Sequence, residues 1–167
     1  MSLYPVVLEI KKLLAFVPAW LDKAVEHAAA RKFDPNTLLQ SRLAPDMFPL
    51  VRQIQSACDQ AKYAAGRPTG KDIPSHPDTE QTIDELRKRV AAVLSYLDGF
   101  TARDFDGADD RSVSLPRWEG KSMSGTRYFI EHSMPNFFFH FTTVYAILRH
   151  NGVDLGKRDF LGPLTFR

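Results

Sequence analysis

Apolar residues recur through most of this chain at steps of three and four. Leu3, Val7, Ile10, Leu14, Val17, Leu21, Ala24 and Ala28 step by 4, 3, 4, 3, 4, 3 and 4, the spacing of one buried helix face. They predict a helix of about seven turns, bent where Pro18 falls inside it, with Phe16 and Trp20 flanking the stripe. Met47, Leu50, Val51, Ile54, Cys58, Ala61 and Ala65 mark a second helix, with Asp46 as its N-cap and Pro49 in its first turn. Ile83, Leu86, Val90, Val93, Leu97 and Phe100 mark a third, capped by Asp78 or Thr79. Its Glu80, Asp84 and Glu85 suit a positive helix end. Ser133, Phe137, His140, Val144, Ile147 and Asn151 step by 4, 3, 4, 3 and 4 and mark a fourth, widened by Phe141 and Leu148. This last stripe lies in the longest apolar run, Thr126 to Asn151, and Gly152 follows it as a helix-ending residue. Pro135 interrupts its front. Either the helix starts there, with Ser133 as N-cap, or a lead-in from Thr126 is kinked at Pro135; the kinked form is the expectation.

Between the stripes lie connectors. Phe33 to Ala44 carries the turn signal Asp34-Pro35-Asn36 and a short helix over Asn36 to Arg42. Gly66 to Pro77 holds Gly66, Pro68, Gly70, Pro74 and Pro77 and predicts a loop, with His76 exposed and idle. Ser112 to Leu115 and Lys121 to Ser124 alternate around Pro116 to Gly120, which predicts a small hairpin with Trp118 near its turn. Phe160 and Leu161 in the tail are expected to pack back. The sum is an all-α fold: a four-helix bundle in one domain, residues 1–167, with a small β-hairpin insert before the last long helix. Its connections are long enough for an up-down-down-up order.

Composition narrows the functional classes. At 167 residues, 44% hydrophobic and 25% charged, the chain has the makeup of an ordinary globular domain. No apolar run is long enough to span a membrane free of charges. A formal charge of +2 with intermixed signs gives no basic block for nucleic acid. The single cysteine, Cys58, excludes an internal disulfide and lies on a core stripe. Glu9, Lys11 and Lys12 interrupt the first apolar run, so no secretory leader is expected and the compartment is the cytoplasm. Asp104, Asp106, Asp109 and Asp110 lack the spacing of an EF-hand and its closing glutamate; they predict a solvated acidic loop.

The candidate chemistry gathers on the last helix. His140 sits on the apolar stripe, with Asn136 one turn before it and His132 two turns before. A pocket-facing metal ligand or acid–base group would occupy such a position, and so would a core histidine bonded to buried polar groups; the second is the plainer expectation. On the second helix Gln55 and Asp59 border the core face, where solvent exposure is the plainer expectation. No Ser or Cys stands in a nucleophile elbow, and no Gly-rich phosphate loop is present.

Three segments carry a resemblance. LAPDMFPLVRQIQSACDQAK (residues 43–62), DTEQTIDEL (78–86) and PNFFFHFTTVYAILRHNGVDLGKRDFLG (135–162) resemble the DUF1993 family of bacterial proteins. That family is similar to the wider DinB/YfiT-like superfamily of four-helix bundles, which includes metal-dependent, thiol-using transferases and isomerases and many dimers. The superfamily's site is three histidines, one on the second helix and two, four residues apart, on the last. The resemblance places the second of that pair on His140, the first on Asn136, and the second-helix ligand near Gln55, with Asp59 one turn on. One histidine of three is kept. Amide oxygens are neutral, hard and poor ligands for zinc or nickel, so the resemblance implies a degenerate metal site.

Three functions follow as expectations. The first is a small-molecule ligand held in the bundle cavity without metal, lined by His140, Asn136 and Gln55 with Phe137 and Phe141 as walls. The second is a zinc- or nickel-dependent enzyme of the thiol-transferase or isomerase type, with His132 or Asp59 completing the ligands of His140. The third is a non-enzymatic homodimer with a structural or stress-associated role.

Overall fold

The computed structural model describes residues 2–166. The first stripe forms two helices, not one bent helix: α1 (Tyr4–Leu14) and α2 (Val17–Arg31). The break falls at Ala15 and Phe16 because Pro18 occupies the first turn of α2. There its missing N–H costs nothing, whereas in a continuous helix its ring would meet the carbonyl four residues back. A short 3₁₀ turn, Pro35–Gln40, follows, with the Asp34 carboxylate accepting from the Asn36 N–H.

Helix α3 (Leu50–Thr69) is capped by Pro49, later than the expected start at Asp46. It also runs through Gly66 and Pro68, where a loop was expected. Gly66 is tolerated for a packing reason: a Cβ there would lie 2.4 Å from Ile73 and 2.6 Å from the Tyr96 hydroxyl, so the following strap crosses on bare backbone. Helix α4 (Ile83–Asp98) starts at a capping box, Thr82 with Glu85, not at Asp78 or Thr79.

Strands β1 (Ser112–Ser114) and β2 (Ser122–Ser124) pair antiparallel with Val113 opposite Met123, as the alternation predicts, and the 3₁₀ turn Pro116–Trp118 joins them. Then come α5 (Gly125–Tyr128), a π turn (Phe129–Ser133) and α6 (Met134–His150). No kink falls at Pro135: the lead-in passes through this π turn, closed by the Met134 N–H on the Phe129 carbonyl, and α6 begins with Ser133 at its N-cap position, as the other alternative had it, so that Pro135 sits harmlessly in the first turn. Gly152 takes a positive φ of 88° just beyond Asn151.

Side-chain pairs give the helix directions. Asp59 meets Arg89, and Gly66 meets Tyr96, so α3 and α4 run parallel. Gln60 meets Ser133, and Gln53 meets His140, so α6 runs opposite to α3. Lys11 pairs with Asp98, and Asp22 with Arg87, so α1 and α2 run opposite to α4. That is the up-down-down-up order, with residues 70–82 as the long return between the two parallel helices. The core is continuous from Ile10 and Leu14 through Ile54, Cys58 and Val90 to Phe137, Phe141 and Ile147, all fully buried. Trp20 belongs to it, capped by Phe160 of the tail helix α7 (Lys157–Leu161), while Leu161 stays 39% exposed. A small second core, Val113, Leu115 and Tyr128 with Trp118 and Met123, sits under the hairpin. The hairpin is pressed against the end of α3: a Cβ on Gly125 would lie 2.5 Å from the Ala108 carbonyl and 3.1 Å from Pro68 Cα.

Candidate functional site

Gln55 and Asp59 stand four residues apart on α3 and face α4. Neither is a solvated flank: Gln55 is 2% exposed, and Asp59 accepts from Arg89 Nη2 at 2.8 Å and Lys62 Nζ at 2.9 Å. Arg89, itself buried, also reaches Glu80 at 3.1 Å and Asp78 at 3.3 Å. Gln55 Nε2 donates to Glu80 at 2.7 Å, and Arg52 pairs with Asp78. Lys62 Nζ donates further to the Pro74 carbonyl at 3.1 Å and to His76 Nδ1 at 3.0 Å. His76 is therefore half-buried and engaged, not idle, and burial and then the Lys62 charge hold its pKa below the ordinary value. Lys62 and Arg89 were legible only as oddities: Lys62 falls four residues after Cys58, on the apolar stripe, and Arg89 three after Leu86.

His140 stands apart from that cluster. Its Nδ1 lies 2.8 Å from Gln53 Oε1, and Gln53 Nε2 donates to the Phe48 carbonyl at 3.1 Å. The carbonyl acceptor sets Nδ1 as the protonated nitrogen, and burial holds the ring's pKa below the ordinary value. Phe137 and Phe141 stack on each other at 5.4 Å within the core, both fully buried. Asn136 turns its amide back to the His132 carbonyl.

This donor set does not fit a divalent ion. A zinc site takes three or four protein ligands. Here His140 offers one nitrogen, Nε2, the amides of Asn136 and Gln55 could offer only neutral oxygens, Gln55 Oε1 already accepts from Arg52 at 3.3 Å, and both cationic partners sit on Asp59. Among the described residues no group of three His, Cys, Asp or Glu side chains is placed to share a metal. Cys58 is fully buried, and desolvation pushes its thiol up to about 12, which makes it inert as a nucleophile.

His132 faces a different place. The end of α3 supplies Gln60, Tyr63 and Arg67, and the hairpin turn supplies Leu115, Pro116 and Arg117; with His132 they enclose a cavity of ≈ 290 Å³. His132 stacks on Tyr128 at 5.1 Å, with Trp118 edge-on at 5.6 Å. Its Nε2 meets the Arg117 guanidinium, which only donates, so Nδ1 carries the ring proton. Burial, then Arg117 and Arg67, keep the ring neutral by holding its pKa down. Arg67 lies flat on Tyr63, 4.0 Å from the ring centre, and donates to the Tyr128 hydroxyl at 2.7 Å. Two atoms of this wall are buried without a protein partner: His132 Nδ1 and Gln60 Oε1. Of the five sequence candidates, Gln55 and Asp59 share one network, His132 and Asn136 adjoin each other, and His140 pairs with Gln53. Sequence reading missed Gln60, Tyr63, Arg67 and Arg117. The 3, 4 spacing of the first three on one α3 stripe was the available signal.

The sequence profile of a family described as a domain of unknown function, DUF1993, matches residues 3–161. No curated protein matches the chain. Among solved structures, the crystal structure of a DinB family member protein from Shewanella denitrificans is similar at 48% identity, over 96% of this chain and 92% of that one, with a TM-score of 0.93. Helix order, hairpin insert and family profile agree: the chain belongs to the DUF1993 family and has the fold of a DinB family member.

Proposed function

We propose that this protein binds a small molecule without metal, in the cavity between the end of α3, the π turn and the hairpin. The observation that carries this reading is the cavity wall itself, which gathers Gln60, Tyr63, Arg67, Arg117 and His132 without a carboxylate among them. The site shifts from the centre of the bundle, where His140, Asn136 and Gln55 were expected to line it, to its hairpin end.

The test is a screen of small molecules against the ¹⁵N-labelled protein, read at the His132 ring and the Gln60 side-chain amide. Compounds that move these signals and compete with one another support the reading; a library that moves neither overturns it. Elemental mass spectrometry of protein without a tag, before and after zinc and nickel loading, is expected to find only traces. One metal per chain, lost in His140→Ala, would restore the metalloenzyme. The reading keeps a cytoplasmic homodimer, supported by two exposed aromatic rings, Phe48 at 50% and Phe139 at 55%. A monomer by light scattering would remove that part.

A further inference from the structure

Given a binding site at this cavity, on which this inference rests, we infer that its ligand is an anion: a small molecule bearing a carboxylate or phosphate group, gripped between Arg67 and Arg117. Both guanidiniums line the cavity and no Asp or Glu does. Among the ion pairs of the described residues neither arginine takes part, as is true of several other arginines, but these two line one cavity and meet only neutral partners, Tyr128 and His132. Each guanidinium carries five N–H donors and spends one of them on its neutral partner. The planar fork that remains is the shape that recognises carboxylate or phosphate in two parallel bonds.

The remaining polar groups point the same way. Tyr63 lines the same cavity, and its hydroxyl is a third group able to donate. Arg67 is fixed before any ligand arrives, flat on Tyr63 and tied to Tyr128, so little side-chain freedom is lost on binding. Arg117 comes from the hairpin turn, and that hairpin is seated on Pro68 through Gly125. The fold thus brings both cations to one cavity wall, in spite of their repulsion. At ≈ 290 Å³ the cavity takes an anionic head group with a few further atoms, and Arg117 also borders the adjoining cavity of Trp118, Glu119, Lys121, Ser122 and Met123, where the uncharged rest of a larger molecule would lie.

Inorganic phosphate and acetate are the probes, titrated at constant ionic strength into the full chain and followed by the His132 ring nitrogens and by thermal melting. Saturable shifts at His132, with affinity falling at least about tenfold in Arg117→Gln, are the expected result. Arg67→Lys keeps the charge but loses the fork, and is expected to weaken phosphate as well. Arg117 lies on the surface, so its variant folds and serves as the control for Arg67. Response to acetate alone assigns the carboxylate, and response to phosphate alone the phosphate. Shifts that are equal in wild type and Arg117→Gln would overturn the inference. So would neutral compounds that move His132 while both anions leave it still, an outcome that would leave the small-molecule reading standing. If no compound of any charge moves His132, both readings fail together.

Discussion

Helix α3 carries two polar clusters on neighbouring stripes, and they differ in one respect. The stripe of Gln55, Asp59 and Lys62 faces α4, where Arg52, Lys62 and Arg89 meet Asp59, Asp78 and Glu80. Three cations face three anions, each within reach of a partner. The stripe of Gln60, Tyr63 and Arg67 faces the hairpin, where two cations meet no anion. Burial alone does not mark a binding site, since the more deeply buried cluster is the one balanced in charge, although Arg89 Nε stays without a partner there. On the reading proposed above, the cluster that lacks an anion is the one open to a ligand.

The comparison can be broken most forcefully at Arg89. Arg89→Ala would strand Asp59 and Glu80 in the interior and is expected to cost about 3–5 kcal/mol, read as a lower urea midpoint. A loss under about 1 kcal/mol would mean the network behaves as a surface cluster. Next, Gln53→Ala removes the acceptor of His140 Nδ1 and is expected to cost about 1–3 kcal/mol by the same assay. Unchanged stability would show that His140 finds another partner at once.

Acidity probes both clusters together. His76, His132 and His140 all have pKa values held below the unfolded 6.5, first by burial. The unfolded chain therefore binds more protons than the folded one just below pH 6.5. Stability is full above 6.5 and falls as pH drops through the lowered values. Histidine resonances titrating at or above 6.5 would refute this. The smallest effect is expected at the open cluster. Arg117→Gln should change stability by no more than about 0.5 kcal/mol, while the His132 midpoint rises towards 6.5 because a neighbouring cation is gone. A large loss of stability would make Arg117 a structural residue.

The helices were legible because apolar burial repeats with the helix turn, so Ile10, Ile54, Val90 and Phe137 announce their faces. The break at Ala15 and Phe16 was readable only as a bend, since Pro18 marks a disturbance without saying which residue yields. Trp20 falls three residues after Val17 and four before Ala24, so its face was legible, but that Phe160 and Phe141, far along the chain, cover it was not. The candidate site was less legible for the same reason. Asp59 looked like a solvated flank because Arg89 is distant in sequence, and ion pairing leaves no periodic trace. Gly66 and Pro68 suggested a loop, yet helix α3 continues through them, with the Pro68 carbonyl taken by Arg111 at 2.6 Å. His132 was placed in line with His140, but its partners come from a hairpin turn that no helical pattern can aim.

The π turn at Phe129–Ser133 explains that last displacement. An extra residue in one turn advances the helix by about 100° of rotation, so the chain before it and the chain after it keep different clocks. His140 and the core residues of α6 tell time by the bundle; His132, α5 and the hairpin tell it by the end of α3. Deleting one residue from the turn would synchronise the two, leave the bundle closed and swing the hairpin off its seat. The π turn thus lets the protein vary the hairpin module without disturbing the frame that carries it.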